Sequence, residues 1–230
     1  MANFNTHLSS SVCLSSIASI CFYNIDMFSL HQAINLAMIG IFSGFIADID
    51  SDDDYASELI FTLFGFICAI FIVLNFTLQQ YSILLNLIIF IVIYASFRYG
   101  LTHLIPRFTQ RRGVFHSIPF AFVLGFATTL IAVHMIKVSI EIAWFAGLYV
   151  FFNYLLHLIL DEIYAVDLAN NSYRSGYFSS IKFISLKPWW PYLICYVLIA
   201  IMIYFLPSFN SLIKGPLALS NFEAIWYHLV

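Results

Sequence analysis

From Ser117 to Ile136 the chain runs for twenty residues without one Asp, Glu, Lys or Arg. Four further stretches behave in nearly the same way: Glu58–Phe76, Tyr81–Phe97, Ile140–Leu160 and Trp189–Leu206. A helix crosses the hydrocarbon core of a bilayer with about 20 mostly apolar residues, within a range of roughly 17–25. Each run fits that window. With 62% hydrophobic residues, 25 Phe and 14 Tyr among 230, the chain carries more apolar surface than a soluble domain of this size encloses. Two earlier segments, Leu8–Tyr23 and His31–Ala47, are shorter and richer in polar residues. They are expected either to span while facing protein or to lie partly re-entrant. The fold class is therefore an all-α integral membrane protein, a polytopic bundle of about seven transmembrane or membrane-embedded helices.

MANFNTHLSS lacks the basic region that opens a secretory signal, so Leu8–Tyr23 is read as part of the fold. Cys13, Cys21, Cys68 and Cys195 lie in apolar runs without CxxC spacing and are expected to be buried small hydrophobes. No repeat or linker divides the chain, which reads as a single membrane-embedded domain over 1–230, its tail (208–230) lying along the membrane surface. If all seven segments cross, Arg98, Arg107, Arg111, Arg112, Arg174, Lys182 and Lys187 fall on one side and Lys137 and Lys214 on the other. The positive-inside rule makes the first side, and the N-terminus with it, cytoplasmic.

The same alternation gathers chemistry on that side. His7, His103, His116, His157 and Asp161 share it with DIDSDDD at 48–54, while His31, His134 and His228 fall opposite and read as structural or interfacial. His157 and Asp161 are four residues apart in NYLLHLILDE, one helical turn, so imidazole and carboxylate share a face and can hold one metal. Asn153 lies a turn earlier. The plainer alternative is a hydrogen-bonded pair at a helix end, but an ionisable group inside a span marks a functional site by default. In DIDSDDD the alternating carboxylates suit a divalent ion, with Asp48 and Asp50 the best placed and the rest a solvated acidic loop. It is no EF-hand, since the twelfth position is Leu59 and the sixth is not glycine. RRGVFHSIPF brings His116, which can ligate or exchange protons, next to Arg111 and Arg112, whose guanidinium forks suit phosphate and whose place at a cytoplasmic boundary topology alone also explains. His7 in NFNTHLSS reads equally as a site group or an interfacial one.

The ordered set His7, Asp48-x-Asp50, Arg112-Gly113-x-x-His116-Ser117 and His157-x-x-x-Asp161 resembles the YdjM-like, LexA-associated family of inner-membrane metal-dependent hydrolases. The resemblance covers about residues 3–190, and DIDSD, RGVFHSIP and HLILDE are its most specific pieces. That family is itself distantly similar to zinc-dependent phospholipases C and single-strand nucleases. The resemblance implies that His7, Asp48, Asp50, His116, His157 and Asp161 are metal ligands or their close partners, and that the reaction is phosphoester hydrolysis at a bacterial inner membrane. Arg111 stands where the family has His, and Ser11 where relatives carry Gly.

The expected enzyme uses two or more divalent ions, zinc foremost with manganese or magnesium as alternatives, to activate water and neutralise phosphate. Asp50, His116 and Asp161 are the expected catalytic groups. Arg112, Arg174 and Lys182 would hold the substrate's phosphate oxygens. The expected substrate is a phospholipid or an isoprenoid phosphate in the cytoplasmic leaflet, with membrane lipid the partner and no nucleic acid. Two alternatives use the same residues: a divalent-cation transporter or channel, and an inactive scaffold, suggested by Arg111.

Overall fold

The computed structural model describes residues 4–46, 54–73, 80–101, 113–167, 172–173, 182–183 and 189–209. Within them the chain forms seven α-helices: α1 (Phe4–Asn24), α2 (Leu30–Ile46), α3 (Asp54–Ile72), α4 (Ile83–Ala95), α5 (Ile118–Ile131), α6 (Ile140–Ala165) and α7 (Trp190–Phe205). A π-helical turn extends α4 over Ser96–Leu101 and another extends α5 over Ala132–Ile136. A two-residue antiparallel ladder pairs Val166 with Tyr173 and Asp167 with Ser172. Three helical stretches are long and apolar enough to cross a membrane: Ile83–Gly100, Ile118–Ile136 and Ile140–Tyr164; Phe61–Ile70 and Trp190–Phe205 are shorter apolar helices.

The ends of the helices are set by local chemistry. Ser29 and Gln32 form a capping box at the start of α2, each side chain accepting from the other's backbone N–H at 3.4 and 2.9 Å. Ser82 caps α4 by accepting from Leu85 N, and Ser139 does the same for α6 through Ile142 N. Pro119 and Pro191 occupy first-turn positions of α5 and α7, where no N–H is needed. Asp26 and Lys137 adopt left-handed backbone, φ 55° and 60°, just past the ends of α1 and the α5 extension, and turn the chain back on itself.

The chain packs as two compact units, Met1–Ala47 with His116–Val230, and Asp48–Phe115. In the smaller unit α3 and α4 pair, with Phe66 edge-on to Phe90 at 5.6 Å. The Arg98 guanidinium, over the Tyr99 ring, pairs with Glu58.

In the larger unit α6 is central, packed against α1, α2 and α5, while α7 packs on α5. Near the start of α6, Phe145 meets Phe22 from the end of α1 and Phe28 from just before α2, edge to face at 5.1 and 4.9 Å. Near its other end, His157 meets Gly44 of α2 and His7 of α1. Helix α1 therefore runs antiparallel to both α2 and α6. The buried stripe of α1 is polar throughout: His7, Ser11, Ser15 and Ser19, one per turn. Facing it, α2 presents Gly40-x-x-x-Gly44, a spacing of small residues that lets two helix backbones approach closely. A Cβ at Gly40 would meet the Ser15 hydroxyl and lie 2.7 Å from Asn153 Nδ2, and one at Gly44 would meet Ser11. Of the two expectations for Leu8–Tyr23, the structure supports polar side chains that face protein. Cys195 is buried as expected, but Cys13 is exposed, because it stands off the buried stripe of α1.

The α5–α6 crossing is equally tight. A Cβ on Gly147 would fall 2.6 Å from the Gly125 carbonyl oxygen and on top of the Thr129 hydroxyl, which donates to that same carbonyl at 3.1 Å. Backbone cannot yield as a flexible side chain does. Gly147→Ala is expected to destabilise the protein by ~1–3 kcal/mol, the usual cost of overpacking. Thermal unfolding in a mild detergent measures this, and an unchanged midpoint would contradict the crossing.

Candidate metal centre

Four ionisable side chains meet where α1 begins, α2 and α6 approach their ends, and the chain enters α5. His7, His116, His157 and Asp161 are each no more than 2% exposed. The His7 and His157 rings stack at 3.7 Å between centroids, and His116 stands edge-on to His157 at 5.8 Å. His7 Nε2 lies 3.3 Å from Asp161 Oδ1, and His116 Nε2 lies 3.7 Å from Oδ2. One carboxylate is bracketed by three imidazoles.

Helix geometry explains the convergence. His157 and Asp161 share a face one turn apart, and α6 continues to Ala165, so Asp161 is held inside the bundle instead of at a frayed end. His7 tops the polar stripe of α1. His116 is placed by the turn before Ser117, where Ile118 N donates to the Lys182 carbonyl at 3.1 Å. The Lys182–Phe183 pair is held from its other side by the Tyr196 hydroxyl, which donates to the Phe183 carbonyl at 2.7 Å.

His157 is oriented by the backbone. Its Nδ1 is 2.8 Å from the Gly44 carbonyl. A carbonyl only accepts, so Nδ1 carries the proton and Nε2 the lone pair. Metal-bound histidines are commonly fixed in this way, with one ring nitrogen donating to a carbonyl and the other turned to the ion.

The donor set fits a divalent ion. Potential ligand atoms of His7, His157 and Asp161 all lie within 4.8 Å of one another. Among the described residues, His7 Nδ1 is buried without a hydrogen-bond partner, and the buried Asp161 carboxylate faces only the His7 and His116 imidazoles. A buried carboxylate in that condition costs several kcal/mol unless a cation compensates it. Two imidazoles and a carboxylate are the ligands borderline divalent ions prefer.

Of the residues expected from sequence, His7, His116, His157 and Asp161 are brought together. Lys182 is tied by its backbone to the turn beside His116. Asp48, Asp50, Arg112 and Arg174 lie outside the described residues, as do His103 and His228. His31 and His134 are exposed. Asn153, singled out by spacing, accepts from the Ser15 hydroxyl at 3.1 Å and donates to the Tyr149 carbonyl at 2.9 Å. Three features were missed. Gly44 supplies the carbonyl that aims His157, and GIFSG at 40–44 was the available signal. The serines at 11, 15 and 19 continue the His7 stripe. Glu162, next to Asp161, is 8% exposed.

Comparisons with protein-family models, curated proteins and solved structures give no match to this chain.

Proposed function

We propose that this chain is a multi-pass membrane protein and a metal-dependent hydrolase of an amphiphilic phosphoester. The single observation that carries the reading is the His7–His116–His157–Asp161 cluster, four ionisable groups each no more than 2% exposed, in a chain that is 62% hydrophobic. Groups of this kind inside a membrane bundle mark function far more often than packing.

For the membrane arrangement, the support is length as well as composition. Helices α1, α2, α3 and α7 have 21, 17, 19 and 16 residues. At 1.5 Å per residue they extend over roughly 24–32 Å, comparable with the ~30 Å hydrocarbon core. The lysine and arginine distribution puts the cluster on the cytoplasmic side. A bacterial inner membrane and phosphoester chemistry follow the motif order, which resembles the YdjM-like hydrolases.

His7, His157 and Asp161 would hold the ion, with Asp48 and Asp50 as further ligands for a second. Zinc suits the mixed nitrogen and carboxylate set best. A bound divalent ion supplies Lewis-acid polarisation of a phosphoryl oxygen and makes water more acidic. The chain's own groups do the rest. Gly44 keeps His157 in one tautomer. His116, across Asp161 from His7, would take a proton from the attacking water or return one to the leaving alcohol. The ammonium of Lys182, with Arg112 and Arg174, would hold phosphate oxygens.

A divalent-cation pathway would use the same cluster and continue along Ser11, Ser15 and Ser19. Against it, Ser15 and Ser19 are already bonded to Asn153 and Tyr149, and Phe22, Phe28 and Phe145 close the far end. The deciding experiment is metal content by mass spectrometry on detergent-purified protein, followed by phosphate release from alkyl phosphoesters. About one or more equivalents of zinc or manganese per chain, with turnover, is expected. Metal with flux into vesicles but no turnover would favour the transporter, metal with neither would favour the scaffold, and no metal after reconstitution would refute the site.

A further inference from the structure

Three of the four cluster groups ride on helices: His7 on α1, His157 and Asp161 on α6. His116 is different, standing two residues ahead of α5. Its place therefore depends on how the start of that helix is held. A helix opens with N–H groups that find no partner within it. Ser117, which precedes α5, is extended and gives no side-chain cap, and Pro119 has no N–H to satisfy. The cap comes from far along the chain, where the Lys182 carbonyl accepts from Ile118 N at 3.1 Å.

The next carbonyl, that of Phe183, accepts from the Tyr196 hydroxyl at 2.7 Å, the length of a well-formed O–H···O bond. Tyr196 lies one turn beyond Tyr192, which is 2% exposed, so the two share a side of α7. Helix α7 in turn packs on α5. Consecutive carbonyls thus tie Lys182–Phe183 to two helices, to α5 through a backbone N–H and to α7 through a phenol. Tyr196 is 41% exposed, so its hydroxyl, more than its ring, distinguishes the position from any apolar residue.

We infer that Tyr196 is a positioning residue for His116. By holding Phe183 it holds Lys182 against the start of α5, and so keeps the His116 imidazole beside Asp161, with Nε2 3.7 Å from Oδ2. Groups that must act at a fixed place need partners behind them that lock that place. The inference deepens the reading of the cluster and rests on the hydrolase proposal only for its effect on turnover. Because His7, His157 and Asp161 would hold the ion, loosening His116 should spare the metal and slow the proton transfer.

The test treats metal-stripped, full-length protein in detergent with diethyl pyrocarbonate, which carbethoxylates accessible imidazoles, and follows each histidine by mass spectrometry. His31 and His134, both exposed, set the reference rate. Tyr196→Phe keeps the ring and removes only the hydroxyl. It is expected to speed labelling of His116 about fivefold, the scale of one lost hydrogen bond, and to leave His7 and His157 as slow as in wild type. Tyr204→Phe, at a position 84% exposed on the same helix, should change nothing. Reloaded with zinc, the Tyr196→Phe protein should keep its metal content and its KM for an alkyl phosphate, while kcat falls about tenfold, as displacement of a reacting group makes it do. An unchanged His116 rate would overturn the inference, as would equal acceleration of all three cluster histidines, the mark of a loosened bundle. Faster labelling of His116 alone, in a protein without phosphoester turnover, would uphold Tyr196 as a positioning residue and remove the hydrolase reading.

Discussion

Asp161→Asn is expected to abolish metal binding while leaving the helices assembled. The two side chains are nearly isosteric, so packing around a residue that is 0% exposed is preserved. What is lost is the only acid among the four groups of the cluster. Changing a group that merely supports a ligand costs about 10–100-fold in metal affinity, so loss of the charged ligand should cost more than ~100-fold. In the metal-free protein the sign differs, since the substitution relieves a buried carboxylate of its desolvation penalty. Thermal unfolding separates the two effects. Wild type at about 100 Kd of added zinc should gain ~2.7 kcal/mol, and Asp161→Asn should gain nothing from a metal-free baseline at least as stable. A zinc-dependent gain equal to wild type would remove Asp161 from the site.

Gly44→Ala should strike fold and site together. Its Cβ would collide with the Ser11 hydroxyl and lie 2.8 Å from Ser11 Cβ, forcing α1 and α2 apart at a cost of ~1–3 kcal/mol. The same movement displaces the carbonyl that accepts from His157 Nδ1, so zinc affinity should fall by about 10–100-fold. Ser11→Gly removes both clashing atoms. In the Gly44→Ala/Ser11→Gly protein most of the metal affinity should return, a coupling that a double-mutant cycle isolates. Additive losses would mean that Gly44 does not act through the α1–α2 contact.

Helical class and the position of the cluster were legible because both depend on short-range rules. Charge-free runs near 20 residues report helices directly, and the four-residue spacing of His157 and Asp161 fixes a shared face whatever surrounds it. Bringing His7 and His116 to that face needed only helices alternating in direction. The packing partners were not legible. Gly40 and Gly44 gain meaning only opposite Ser15 and Ser11, and nothing in GIFSG names the helix it will meet. Cys13 looked interior by hydropathy, since hydropathy cannot distinguish a side chain facing lipid from one facing protein.

The all-polar stripe of α1 also bears on how the chain is made. Its bonds to α6, Ser15 with Asn153 and Ser19 with Tyr149, join residues 138 and 130 positions apart. Synthesis proceeds from the N-terminus, so α1 emerges long before the helix that satisfies it. Until then Ser15, Ser19 and His7 lack the groups of α6 that they meet in the folded chain. The bonds that lock this stripe thus form only once α6 has been made, and a chain stopped before Ile140 leaves the hydroxyls of Ser15 and Ser19 without their α6 partners.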